Sequence, residues 1–322
     1  MRPGRLPGTF LVVLLLGLGG AGSAHAQEDI DLRFFRPQVT VAGDTFQDKP
    51  FDKGSGEFGA GSLSLFANLP LGRTHVRWDR KYRASQFFAH VAANGASPDI
   101  TFLAGPQHRL YSGVLAASGV WLSRANNLYV ASAGESFAED DRTIHDLKGR
   151  FYALGLGTHR IREWITLIYG GAATYQFGRG LVVPVAGVYW WINPKWSLIG
   201  TLPFSVAGTY RATDRLNVLM RLGFTGNRYR YANDGQFPTT NDVVFLSILQ
   251  SQATGALDWT ASKDVSLFLE AGVVRTLRFV FSEDADVRSH KFVDDGTLPS
   301  GYLKAGARFT FGKSVIDDWN KK

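Results

Sequence analysis

The feature that most constrains this chain is a two-residue hydrophobic period that recurs along its length. In Leu216 to Asn227 one parity holds Leu216, Val218, Met220, Leu222 and Phe224. The other holds Asn217, Leu219, Arg221, Gly223, Thr225 and Asn227. Val265 to Phe281 alternates likewise, with Arg275 interrupting the apolar parity and Ser266, Glu270, Gly272, Thr276 and Arg278 on the other. Trp196 to Tyr210 is a third such segment. The stretches 33–43, 59–69, 74–91, 109–122, 127–137, 150–158, 164–177, 182–192, 242–259 and 300–311 bring the total to thirteen. A period of two sends successive side chains to opposite faces of a strand, so each segment has one apolar and one polar face. No comparable stretch of helical period follows the first 26 residues, and the expected fold is all-β.

A soluble β-sandwich also alternates, with its apolar face inward. Three features favour a membrane instead. Many segments run 11 to 18 residues, against about 5–6 for strands of soluble domains and about 9–11 for a tilted membrane strand. The polar parity is rich in Ser, Thr, Asn, Gln and Gly, as suits an enclosed wall. Aromatics sit at segment ends: Trp196 and Tyr210, Trp190 and Trp191, and Trp259. Amphipathic rings favour the membrane–water boundary. Backbone groups cannot stay unpaired in hydrocarbon, so membrane strands must close on themselves. The expectation is a closed antiparallel transmembrane β-barrel. Thirteen segments do not give the even number that two termini on one side require. Twelve strands are expected if 150–158 is not a full strand. Fourteen is the alternative, if Pro203, which cannot donate to a ladder, splits 196–210.

Residues 1–26 read as a secretory leader. Arg2 and Arg5 precede the apolar run Phe10 to Leu18, and Ala24-His25-Ala26 is a cleavage pattern. With Arg2 and Arg5 removed from 35 basic residues, and 28 acids retained, the mature chain has a net charge of +5. Its longest apolar run, Leu181 to Ile192, has 12 residues, too few for a helical span. The barrel is expected over 27–311, with a short periplasmic tail at 312–322. Together these place the chain in the outer membrane of a Gram-negative bacterium, among outer-membrane lipids.

The final segment carries a further signal. Lys304, Gly306, Phe309 and Phe311 resemble the C-terminal insertion signal of outer-membrane barrels, which implies the barrel-assembly machinery as a partner. Leu303, Ala305, Ala307, Phe309 and Phe311 share one face. The inter-strand segments 44–58, 138–149, 232–241 and 283–299 hold 14 of the 28 acids and only six basic residues. They are read as solvated loops on one side of the membrane, with divalent-cation binding among surface glycolipids as the other reading. Other links are tight, such as Asn193-Pro194, Thr213-Asp214 and Ser262-Lys263. Candidate lumen-facing polar residues are Arg77, Asp79, Lys81, Asn217, Arg221, Glu270 and Arg278. Asp79 can neutralise Arg77 and Lys81, and Glu270 can neutralise Arg278; unpaired, the cations favour anions.

Chemistry-bearing motifs are sparse. Zero cysteine excludes disulfides, thiolate metal sites and a thiol nucleophile. The histidines after the leader, His75, His90, His108, His145, His159 and His290, have no metal-ligand spacing. Ser112 and Ser118 lie on strands without a nucleophile elbow. No cofactor is expected, and the modest positive charge lies on β-segments, so no nucleic acid is expected.

One stretch resembles a known family. Pro184, Tyr189-Trp190-Trp191, Asn193-Pro194-Lys195-Trp196, Leu202-Pro203, Tyr210 and the Arg215 to Gly226 strand are similar to an uncharacterised family of bacterial outer-membrane barrels, known as a domain of unknown function. The resemblance implies fold and location and brings no activity. The functional expectation is a passive channel or transporter for small polar or anionic solutes. The alternatives are a structural or adhesive barrel with a plugged lumen and, from a different class, a lipid-modifying hydrolase with a Ser/His pair.

Overall fold

The computed structural model describes residues 37–311 except 55, 77–81, 104–106, 124–126, 163, 177–178 and 285–288. The leader at 1–26 and the tail at 312–322 lie outside the described residues. Fifteen strands run through the rest: β1 (Gln38–Pro50), β2 (Glu57–Val76), β3 (Tyr82–Ile100), β4 (Leu110–Ser123), β5 (Leu128–Asp140), β6 (Arg150–Arg162), β7 (Ile165–Gln176), β8 (Arg179–Asn193), β9 (Trp196–Leu202), β10 (Ser205–Arg211), β11 (Leu216–Ala232), β12 (Val243–Thr260), β13 (Val265–Ser282), β14 (Lys291–Asp295) and β15 (Ser300–Thr310). From β1 to β13 each pairs antiparallel with the next. β15 pairs with β13 on one side and with β1 on the other, from Gln38↔Thr310 to Phe46↔Tyr302, so the sheet closes. β14 lies in the β13–β15 connection and, among the described strands, pairs with β13 alone. The ring therefore has fourteen strands.

This corrects the expectation of twelve and bears out the alternative. Pro203 ends one ladder and begins another: 196–210 is the hairpin β9–β10, with Thr201 opposite Ser205. The segment at 150–158 is a full strand, because β6 extends to Arg162 and pairs along most of its length with β7. Two segment boundaries also move. β1 continues to Pro50 and β2 begins at Glu57, so much of 44–58 is strand. The segment 74–91 is divided between β2 and β3.

Both chain ends of the ring lie at one rim, which also carries the tight links after β8, β10 and β12. The acidic connections after β1, β5, β11 and β13 lie at the opposite rim, called outer below. The faces follow the alternation. Leu63, Leu115 and Leu222 point outward and are 63%, 64% and 60% exposed, while Ser118, Ser132, Thr254 and Glu270 point inward and are buried. Apolar side chains that water would penalise cover the outside, as a lipid-facing wall requires. Trp164, Trp190, Trp196 and Trp259 are exposed on the outer surface near the inner rim, where Trp196 meets Tyr210 at 4.7 Å and Trp164 meets Trp190 at 6.4 Å. They form an aromatic girdle at that boundary.

The wall is not uniform in height. β9 and β10 have seven residues each, fewer than the about 9–11 that a membrane crossing needs. Behind this low hairpin the inward side chains are apolar: Leu154, Leu156, Val183, Val185 and Phe204 pack together. Toward the outer rim β11 reaches across and bridges β5 in parallel, Arg230 opposite Glu139. Toward that rim β6–β10 are left outside, and the ring contracts to nine strands, β1–β5, β11–β13 and, closing against β13, β15 continued by β14. About eight strands leave an interior that side chains fill. Here Phe58, Ile100, Tyr231, Leu246, Phe279 and Phe281 fill it as a buried aromatic and aliphatic core.

Candidate functional site

Below the contraction the fourteen-strand ring encloses a wider interior than the nine-strand end. Strand parity decides what lines it. On β12 the inward residues are Val244, Leu246 and Ile248 near the outer rim, then Gln250, Gln252, Thr254, Ala256 and Asp258 below. On β15 they include Tyr302, Lys304 and Arg308, and on β1 they include Asp44. These side chains converge. Glu270 accepts a hydrogen bond from Thr254 Oγ1 at 2.5 Å and lies 3.8 Å from Arg221. Lys304 stands opposite Glu270 on β13 and opposite Asp44 on β1. Asp44 accepts from Ser62 Oγ at 2.8 Å, and Arg308 Nη1 pairs with Asp258 Oδ2 at 3.2 Å. Three carboxylates (Asp44, Asp258, Glu270) thus face three cations (Arg221, Lys304, Arg308). Intramembrane charges persist when paired or wetted, and this cluster is internally neutral.

The expected lumen residues divide into three groups. Asn217, Arg221 and Glu270 are on the inner face, with Asn217 opposite Asp258. Arg278 is not. A bulge between β12 and β13 shifts the register so that Arg278 sits opposite Leu249, on the outer parity, and Asp294 lies 3.7 Å away. The expected Glu270–Arg278 pair is therefore replaced by Glu270–Arg221. Arg77, Asp79 and Lys81 lie where no side chain is described. Asp44, Asp258, Lys304 and Arg308 were not singled out for the lumen; the polar parity of β1, β12 and β15 was the signal that could have found them.

Of the expected insertion signal, Lys304 and Gly306 point inward, and Phe309 and Phe311 lie exposed on the other face. A Cβ at Gly306 would meet the Phe268 ring at 2.4 Å and Val41 O at 2.5 Å, so the glycine permits close packing of β15 against its neighbours. Ser118 donates its hydroxyl to Ser132 at 2.8 Å, and His90 lies between the Phe66 and Phe88 rings.

At the outer rim the β5–β11 bridge is held by charge. Arg230 Nη1 lies 3.3 Å from Glu139 Oε2, and its guanidinium also binds Asp146 O at 2.6 Å and Asp146 Oδ2 at 3.2 Å. Asp146 belongs to the short helical turn Ile144–Asp146 and takes a second ion pair from Lys148 at 2.9 Å. The hydrogen bond from Lys148, then that from Arg230, hold its carboxyl below the usual carboxylate range.

No protein-family model matches the sequence, and no curated protein matches it. The resemblance to an uncharacterised barrel family thus rests on the residues of β8 to β11. Among solved structures, the beta domain of the Bordetella autotransporter Brka is similar at 10% identity and a TM-score of 0.38, over 86% of this chain and 100% of that one. A mutant of the TodX monoaromatic hydrocarbon channel gives 9% and 0.35, over 85% and 90%. The outer membrane channel DcaP of Acinetobacter baumannii gives 11% and 0.29, over 91% and 100%. At such scores the likenesses say nothing about cargo.

Proposed function

We propose that this chain is an outer-membrane barrel that conducts small polar solutes as a passive channel, and that its outer mouth is closed in this conformation. The observation that carries the reading is a fourteen-strand ring, apolar outside, whose wide part carries a charged and hydrophilic inner face on β1, β11–β13 and β15. The neutral cluster of three acids and three bases supports polar solutes over anions. Exposed leucines and the Trp girdle suit outer-membrane lipid, and the β15 pattern suits recognition by the barrel-assembly machinery. Catalysis plays no part in this reading.

A second reading is favoured by the core across the outer rim: a plugged barrel whose connections act at the surface. Planar-bilayer recording separates the two. A channel gives discrete conductance steps, larger in a Phe281→Ala variant that thins the plug. Silence from both proteins, each shown to be folded and inserted, leaves the plugged barrel.

A further inference from the structure

Three outer connections meet at His108. It lies just before β4 and is 2% exposed. Its Nδ1 is 2.9 Å from Asp141 Oδ1, immediately after β5, and its Nε2 is 3.2 Å from Asp234 Oδ2, after β11. Among the described residues Nε2 nevertheless has no hydrogen-bond partner. The Tyr231 ring packs edge-on against the imidazole at 4.9 Å and closes it off from the core. Asp140 offers an oxygen that lies, with ligand atoms of His108 and Asp141, in a group spanning no more than 4.8 Å. Hydrogen bonds from Thr143 N and Ala232 N, each 2.7 Å, fix that carboxylate.

The electron pairs pose the problem. With Nδ1–H donated to Asp141, Nε2 carries a lone pair and faces a carboxylate oxygen. Two such donors 3.2 Å apart repel unless positive charge lies between them. A histidine fixed by a carboxylate on one nitrogen, with the other free, is the arrangement that metal-binding imidazoles use. The spacing also fits: two ligands at about 2.0–2.1 Å from a tetrahedral zinc ion are about 3.3 Å apart. Asp234 holds φ +40°, a left-handed turn conformation that Asp tolerates. Three carboxylates around one imidazole leave an excess of negative charge.

We propose that His108 and Asp234 are the primary ligands of a divalent-cation site at the outer mouth. Asp141 orients the ring, and Asp140, grouped with His108 and Asp141 but not with Asp234, adds negative charge on that orienting side. The imidazole ligand favours a borderline ion such as Zn2+ over Ca2+ or Mg2+, which prefer all-oxygen sets. A bound ion ties together the connections after β3, β5 and β11, the same elements that close the nine-strand end.

The test uses the full chain, purified in detergent and stripped with chelator. Zn2+ alone is titrated in, with Ca2+ and Mg2+ in parallel. The temperature at which the folded form disappears on unboiled SDS gels is recorded. Zn2+ is expected to raise it and the other two to leave it unchanged; His108→Ala and Asp234→Asn are expected to abolish the rise. Asp234→Asn keeps the side-chain shape, so the test stands if the histidine variant fails to fold. No Zn2+ effect on the unaltered chain, or an effect that survives Asp234→Asn, overturns the site. So does a transition that follows pH but ignores Zn2+, which assigns the ring to an imidazolium held between two carboxylates.

Discussion

The outer and inner ends of this barrel share strands but not an interior. At the outer end nine strands enclose Phe58, Tyr231, Phe279 and Phe281 in contact across the middle. At the inner end fourteen strands enclose Asp44, Arg221, Asp258, Glu270, Lys304 and Arg308. β12 shows the change within one inward face, from Val244, Leu246 and Ile248 to Gln250, Gln252 and Thr254. Ring size decides which side chains suit the inside. A narrow ring brings opposite walls together and must be packed; a wide one can hold charged side chains, and here it does so on β1, β11–β13 and β15 while Leu154, Leu156, Val183 and Val185 keep the other side apolar. The β5–β11 bridge sets the boundary.

The largest expected effect falls on the packed end. Phe279 is fully buried, and Phe279→Ala should cost about 3–5 kcal/mol through lost burial and the cavity left behind. Loss of the folded band on heating measures it. Leu222→Ala, on the lipid face, should cost far less; equal losses would erase the distinction between the two ends. Next comes polarity across the wall. Leu222→Arg places a charge in hydrocarbon and should cost about 2–4 kcal/mol, whereas Gln252→Arg, on the polar inner face, should be tolerated. Equal insertion yields and thermal stability for the two variants would mean that the faces are misassigned.

A smaller effect is expected in the ionic cluster. Glu270→Gln removes one of three acids and leaves Arg221 and Lys304 less neutralised. It should destabilise by about 1–2 kcal/mol and move the reversal potential of any conductance toward anions. An unchanged reversal potential in a conducting variant would show that solutes bypass the cluster. The smallest effect is at the bridge. Asp146 is held below the normal carboxyl pKa, so its contribution is present above the unfolded carboxyl range and fades as pH falls through the lower folded value. Protection factors of the amides in 141–149, corrected for the intrinsic slowing of exchange at low pH, should therefore fall on acidification, and less so in Asp146→Asn. Identical acid responses would remove the ion pair from the account.

The alternation made the barrel legible, because membrane strands must obey it over long, closed ladders. Pro203 likewise signalled the fourteenth strand, since a residue without N–H cannot continue a ladder. The contraction was not legible. It depends on a contact between β5 and β11, strands about ninety residues apart, and no local pattern encodes that. Arg278 was misplaced for a similar reason: a single bulge moves it to the other parity, and a period of two cannot register an extra residue. His108 escaped notice because its partners, Asp141 and Asp234, come from different connections rather than a local motif.

The absence of cysteine makes the central claim directly testable by single-cysteine labelling. Gln252→Cys, Leu222→Cys and Leu246→Cys, reconstituted in vesicles, are exposed to a water-soluble maleimide. Reaction at 252 with protection at 222 and 246 is the predicted pattern: a wet lower lumen, a lipid-covered outside and a dry outer core. Labelling at 222 with protection at 252 would contradict it.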